Sequence, residues 1–588
     1  MKFIQSFVFT LITFFCFISL KVNAQENVFV HLDKSVVVSG ESIFFKAYLL
    51  NINTIIPNSE SKILYIQITD PVNKKNLLFR SDIHKNGTCH GAIPIPDTLN
   101  TGYYLLSAYT NGMRNFNPEQ AFTTRILVIN QARNIPDELN SIAISEPSDS
   151  IFNNALVTNI TFKSIDIIPN KKVYSTREKV SIDLKHLTDF QSMTQVSVSI
   201  SRKSPFKVLR TTESDISSYL PYIGNKIKAE KDHSKYSPAS DLCKYPIENK
   251  GFIFSGNLFD KISNKPLRNT TVLLSVPDSI ANLKYAVTDS SGKFYFLLEQ
   301  KYNNRELILQ LKDSPVPVEN TTIIVENKVF NPDYLILPKT ILDSAGSDFV
   351  TSCQQLAMIN KIYASKSKTD TLLTEIPLQN YSFYGKPDEI IKPSEFLEMP
   401  NLEDIVANIV RNARYKVTEN QSTILVADKF SNQFREGHNA MVLLNNIPVF
   451  DYSLIRPLGS KQIQRIELKT KRMYYGDLEI FGIFSIFTKE DYLPFLKSGK
   501  KVFSFPNEVL SPVKSNISPD YSLEVKRNSK IPDFRTTLYW NPDFEVKNKI
   551  INTVEFYTSD LKTSYEIVIQ GITADGIPVS ARATFEVR

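Results

Sequence analysis

The sequence predicts a mainly β, multi-domain chain: a string of β-sandwiches that carries one small α/β unit. Three observations predict it. Short runs rich in β-branched and aromatic residues recur about every 10–20 residues, with Gly, Pro, Asn and Asp between them. Apolar residues make up 42% of 588, with 38 Phe and 26 Tyr, which is enough for several cores; at ~150 residues per domain the length suggests about four. Helical apolar spacing is read in two stretches, and the second opens a strand–turn–strand segment. Lys and Arg number 68 against 61 Asp and Glu, a balance of +7 that is too mild over this length to imply nucleic acid. With 18 Gly in all, glycine-rich nucleotide loops are not expected.

Residues 1–24 stand apart. Lys2 gives a positive start, Phe3 to Leu20 is an apolar run, and Val22-Asn23-Ala24 sets small residues before Gln25. This is the pattern of a secretory signal peptide cut between Ala24 and Gln25; the alternative is an uncleaved N-terminal anchor. No later stretch reaches ~18 uninterrupted apolar residues, so no transmembrane segment is expected in the mature chain. Cys89, Cys243 and Cys353 are odd in number and far apart, so a disulfide framework is not what holds the chain together.

Residues 25–130 read as the first sandwich. Its strands are Val28 to Leu32, Ser42 to Leu50 after the Gly40 turn, Ile63 to Ile68 before Asp70-Pro71, Tyr103 to Tyr109, and Arg125 to Ile129. His31-Leu32-Asp33-Lys34, Gly40-Glu41-Ser42-Ile43-Phe44-Phe45-Lys46-Ala47-Tyr48 and Gly102-Tyr103-Tyr104-Leu105 resemble the MG2 macroglobulin domain. More specifically, they resemble the version that opens a large secreted family of Bacteroidota. Phe44 stands where that pattern usually has Trp.

Residues 131–213 read as a second macroglobulin-like sandwich: a turn and strand from Lys172 to Leu184, then Val196, Val198 and Ile200 alternating with Ser197, Ser199 and Ser201. The polar stretch 214–250 reads as a linker. Residues 251–345 read as a third sandwich, and Thr288-Asp289-Ser290-Ser291-Gly292-Lys293-Phe294 resembles the turn of the carboxypeptidase regulatory-like domain.

Phe349, Val350, Cys353, Leu356, Ala357, Ile359 and Ile362 predict an amphipathic helix over 346–365, within a helix and connector assigned to 346–379. Asn401, after Pro400, can cap a second helix over 401–412. Ala440 to Leu444, the Asn445-Asn446 turn, Ile447 to Val449, Ile463 to Leu468 and Gly482 to Lys489 follow. This order resembles the plug domain of TonB-dependent outer-membrane receptors and bounds an α/β plug-like unit at 380–495. A receptor barrel of 22 strands needs more than about 220 residues; the β-rich stretch 496–588 reads instead as a closing sandwich, so the expectation is a plug-like unit without its own barrel.

No residue set predicts catalysis, a cofactor or a metal site. Cys353-Gln354-Gln355 invites comparison with the macroglobulin thioester, but there Cys and Gln stand three apart, and a buried packing cysteine is the plainer reading. His84, Cys89 and His90 fit no zinc spacing. Asp260 and Asp289 lack the ordered acid cluster of a calcium loop. Asp97-Thr98-Leu99, Asp149-Ser150-Ile151, Asp278-Ser279-Ile280 and Asp343-Ser344-Ala345 resemble an O-glycosylation acceptor motif of Bacteroidota.

The expected role is therefore non-enzymatic: an exported, periplasmic or surface protein that scaffolds or docks onto an outer-membrane partner, with the Asn445-Asn446 hairpin as the candidate contact. The alternatives are an accessory subunit of an envelope peptidase and a glycan- or peptide-binding module; no small-molecule ligand is specified. N-terminal sequencing of the native protein is expected to begin at Gln25, and cytosolic material retaining Met1 would refute the export reading.

Overall fold

The computed structural model describes residues 26–588 except 52–56, 58–59, 85, 117–120, 134–137, 141–164, 187–193, 207–213, 233–243, 278–280, 300–305, 313, 331–338, 342, 364–381, 418–421, 429–432, 435–436, 491, 499–501, 508, 511–517, 548–550 and 574–575. The chain is mainly β, built from two-sheet sandwiches and one mixed α/β unit. Ala24, Gln25 and Cys243 lie outside the described residues. Among the described residues no helix is long and apolar enough to cross a membrane.

The N-terminal sandwich packs a three-stranded sheet (Glu26–Leu32, Ser42–Asn51, Thr88–Pro94) on a five-stranded one (Val36–Val38, Phe122–Ile129, Gly102–Tyr109, Ile63–Asp70, Lys75–Asp82). Phe29, Ile43, Phe45, Ile66, Leu106 and Ile126 fill its core. Gly102–Tyr109 is buried on both faces, which explains its imperfect alternation in sequence. Its second face, with Tyr103 and Leu105, is covered by Val350 and Cys353 of the helix Ser344–Tyr363.

The stretches 131–213 and 496–588, expected as separate sandwiches, form one. Thr194–Arg202 is paired antiparallel on one side with Thr537–Val546 and on the other with Ser564–Ile572. Lys179–His186 pairs with Asn552–Tyr557 in the facing sheet. Val196, Val198 and Ile200 alternate into the core from an interior strand, and both of its neighbours lie outside residues 131–213.

Residues 214–250 are likewise not simply a linker. Ile216–Asp232 is a helix, and Ile216, Tyr219, Leu220 and Ile223, at i, i+3, i+4 and i+7, enter the N-terminal core. The Tyr219 hydroxyl donates to Asn27 Oδ1 at 2.6 Å. At the start of the helix, the Ile216 N–H donates to Gln570 Oε1 at 3.0 Å.

The middle sandwich sets Lys293–Leu298, Phe252–Asp260 and Thr321–Val325 against Asn282–Val287, Thr271–Val276 and Leu307–Lys312. Its second sheet gains a fourth strand, Phe503–Phe505, from beyond the α/β unit. The α/β unit is thus inserted within the middle sandwich, and both lie within the sandwich closed by residues 537–587.

The N-terminal sandwich meets the long-range sandwich through buried polar contacts. Lys46, with no exposed side-chain surface, donates to the Pro542 carbonyl at 2.8 Å and to Asp543 Oδ1 at 2.7 Å. Tyr48 donates to the Gln570 carbonyl at 2.9 Å, and His31 Nδ1 lies 2.7 Å from Ser197 Oγ. Trp540, fully buried, stacks on Phe44 at 6.4 Å and packs against His31 at 5.4 Å. Asp33 accepts hydrogen bonds from Thr537 Oγ1 at 2.6 Å and the Phe44 N–H at 2.8 Å.

Trp540→Ala removes the largest side chain of this interface and is expected to cost about 3–5 kcal/mol in urea unfolding; a loss below about 1 kcal/mol would show that the two sandwiches do not depend on it. Asp33 supplies a pH test. Burial raises its carboxyl to about 6, whereas in the unfolded chain it titrates near ~3.9. The folded state therefore holds the proton longer, and this group's contribution to stability is full below about pH 4 and lost as pH rises to about 6, at about 1.4 kcal/mol per pH unit. Subtracting the stability–pH curve of Asp33→Asn from that of the wild type is expected to leave this falling slope between pH 4 and 6. A flat difference would refute it.

Candidate functional site

The α/β unit has a five-stranded sheet in the order Glu389–Ile391, Ile463–Tyr475, Leu478–Thr488, Met441–Leu444, Ile447–Pro448. Met441–Leu444 runs parallel to Leu478–Thr488, whereas Ile463–Tyr475 runs antiparallel to it. The helix Leu402–Ile409 buries Leu402, Ile405 and Val406 in this unit's core, and Asn401 caps it by accepting the Asp404 N–H at 2.8 Å.

The Asn445-Asn446 turn has the backbone its sequence predicts, with φ of 48° and 68°. It is not the exposed contact expected of it. Asn446 is 1% exposed. Asn445 is committed to the neighbouring strand: its Nδ2 donates to Thr488 Oγ1 at 2.7 Å and its Oδ1 accepts the Thr488 N–H at 3.0 Å. Two residues on, the Pro448 carbonyl accepts a hydrogen bond from Gln310 of the middle sandwich at 2.7 Å. The hairpin is a seam within the molecule.

That seam is extensive. Tyr475 donates to the Leu283 carbonyl at 2.6 Å, and the Asp477 N–H donates to the Tyr285 hydroxyl at 2.7 Å. Gly476 between them has φ 59°, and a Cβ there would collide with the Tyr285 hydroxyl. Ala281 and Leu283 of the sandwich are buried with Leu443, Ile480 and Leu478 of the unit, and Ile308 enters the unit's own core. Away from the seam, Ile390, Phe396 and Leu397 are exposed, Leu397 to 89%. Sequence reasoning missed this segment; its signal is two adjacent large apolar residues beside Pro393 in a loop.

The other candidate groups are accounted for by packing. Cys353 is buried on its helix, and burial pushes its thiol up to about 11, far from a nucleophile's range. The Gln354 side chain donates to the carbonyls of Asn130 at 2.6 Å and Arg133 at 2.9 Å. Cys89 enters the N-terminal core, while His90, one residue on and on the opposite face, has its Nδ1 3.2 Å from Asp543 Oδ2. His31 is buried and held neutral, its pKa lowered to about 3 chiefly by desolvation. Asp289 accepts from the Ser291 and Lys293 N–H groups and Asp260 from the Ile262 N–H, so both carboxylates cap their own turns. Among the described residues no group of three or more His, Cys, Asp or Glu could hold a metal ion.

No protein-family model matches the chain, and no curated protein matches it. Among solved structures the chain is similar to Escherichia coli alpha-2-macroglobulin in its native conformation, at 10% identity over 96% of this chain and 40% of that one, with a TM-score of 0.23. It is similar to Salmonella alpha-2-macroglobulin reacted with methylamine, at 9% identity over 96% of this chain and 39% of that one, with a TM-score of 0.23. A third likeness is to the Yersinia pseudotuberculosis adhesin InvE, at 10% identity over 51% of this chain and 59% of that one, with a TM-score of 0.12. The chain spans about two fifths of the length of these macroglobulins.

Proposed function

We propose that this protein is a non-enzymatic scaffold of the cell envelope that docks through its α/β unit onto an outer-membrane assembly of the TonB-dependent-receptor kind, without supplying a barrel itself. The observation that carries the reading is the way the unit is mounted. One side is fixed to the middle sandwich by the Tyr475, Asp477 and Pro448 hydrogen bonds and by shared apolar clusters. The loop carrying Phe396 and Leu397 is left exposed on a rigid support. The signal-peptide pattern and the resemblance of residues 380–495 to a receptor plug support an envelope location and a receptor-like partner.

The seam determines how docking must be tested. Deleting residues 380–490 would uncover Leu273, Leu283 and Ile308 of the sandwich, all of them buried, and would confuse lost docking with lost folding. The double change Phe396→Ser, Leu397→Ser alters exposed side chains and is expected to leave the melting temperature within a few degrees. Under this proposal the variant is exported normally but loses its crosslinked envelope partner. Unchanged recovery of that partner from a folded variant would refute docking through this loop.

A further inference from the structure

Where the N-terminal sandwich, the long-range sandwich and the helix Ser344–Tyr363 meet, they line a partly open cavity of about 120 Å³. Part of its wall is apolar, with Val36, Phe206 and Phe349 contributing; the two Phe rings meet edge to face at 5.8 Å. Much of the rest is polar or charged, and most of that charge is already matched. Lys34 pairs with Glu41 at 2.8 Å, and Arg582 pairs with Asp215 at 2.9 Å and Glu566 at 3.3 Å. Asp33 holds the hydrogen bonds from Thr537 and the Phe44 N–H.

Arg202 is the exception. Its guanidinium lies over the Phe349 ring at 4.1 Å. Its terminal nitrogens reach two weak neutral acceptors, Cys353 Sγ at 3.4 Å and Ser352 Oγ at 3.3 Å. Its Nε is buried without an acceptor, and among the described residues no carboxylate pairs with it. A guanidinium is always charged and carries five N–H donors, so a half-buried one held by a thiol and a hydroxyl is under-served. A carboxylate is the acceptor whose charge and geometry suit it.

We propose that this cavity binds a short aliphatic monocarboxylate, with the carboxylate on the terminal nitrogens of Arg202 and the alkyl chain against Val36, Phe206 and Phe349. The size follows from the volume. A cavity of about 150 Å³ accommodates benzene, so about 120 Å³ suits a ligand on the order of six non-hydrogen atoms, such as butyrate. The site is formed jointly by both sandwiches and the helix, so an occupant would brace their junction, and binding is expected to raise the melting temperature.

The test is calorimetric titration of the full chain with butyrate and with butyramide, which is equal in size but uncharged, alongside melting curves. Butyrate is expected to bind at one site and raise the melting temperature, and butyramide to bind at least about tenfold more weakly. Arg202→Gln is expected to lose butyrate binding by about tenfold or more, and Arg202→Lys to keep part of it. Should Arg202→Gln fold poorly, Val36→Phe, which fills the cavity and leaves the charge, is expected to abolish binding. No butyrate binding at tens of millimolar, equal binding of butyramide, or undiminished binding by folded Arg202→Gln or Val36→Phe would each overturn the proposal. These measurements need no envelope partner, so their outcome is independent of the docking proposal.

Discussion

The strand Thr194–Arg202 cannot complete its hydrogen bonding until residues 537–572 arrive. It is an interior strand of a five-stranded sheet, next to the edge strand Thr537–Val546, and both its neighbours come from the far end of the chain. A strand exposed on both edges would leave two rows of N–H and C=O groups unpaired, so the pairing is obligatory once the strand is buried. Everything from 203 to 536 must therefore fit inside one closed loop. For a featureless chain that closure would cost about 5 kcal/mol. The chain lowers the effective length by folding a sandwich inside the loop, and the α/β unit inside that sandwich.

The N-terminal sandwich lies outside this nesting and is tied to it by polarity as much as by apolar area. Lys46, Tyr48, His31 and Asp33 all face the long-range sandwich, and each finds a partner there. Such buried polar contacts contribute modestly to net stability, because desolvation offsets much of the gain. Their effect is on orientation: a rotated interface would leave a buried ammonium and a buried hydroxyl unpaired, which costs far more than a loosened apolar contact. Trp540 supplies the apolar surface, and Phe44, in the place where the resembled pattern has Trp, supplies the ring it stacks on. The helix Ile216–Asp232 spans the same two bodies, its start bonded to Gln570 and its apolar face in the N-terminal core.

Local features were legible in the sequence where local chemistry decides them. The Asn401 cap, the helix at Ser344–Tyr363 and the left-handed turn at Asn445-Asn446 follow from residue types and spacing. Features decided at long range were not. The segment 216–232 reads as a linker in sequence because its polar and Lys residues dominate the composition, although Ile216, Tyr219, Leu220 and Ile223 keep helical spacing. The two half-sandwiches look like whole ones in sequence because strand periodicity reports which face is buried, not which strand lies alongside. The burial of Asn446 could not be read from its neighbours in sequence, since Gln310, which bonds the same hairpin, is more than a hundred residues away. The cavity beside Arg202 was equally illegible, because its walls come from the first sandwich, the closing sandwich and a helix between them.

Nesting also imposes an order on assembly. Contacts within the N-terminal sandwich lie between residues 26 and 129, and those of the α/β sheet between 389 and 488, so each can form early from nearby residues. The middle sandwich has most of its core by Val325 and gains its last strand only with Phe503–Phe505. The strands 165–202 wait longest, exposing Val196, Val198 and Ile200 until their partners are made. Serine at every second position, Ser197, Ser199 and Ser201, keeps one face of that waiting strand polar, which lowers its tendency to pair with another chain. In the finished fold Ser197 and Ser199 are buried against the N-terminal sandwich, with Ser197 bonded to His31 and Tyr48. The alternation that makes the waiting strand tolerable is also what gives the interface its hydroxyl groups.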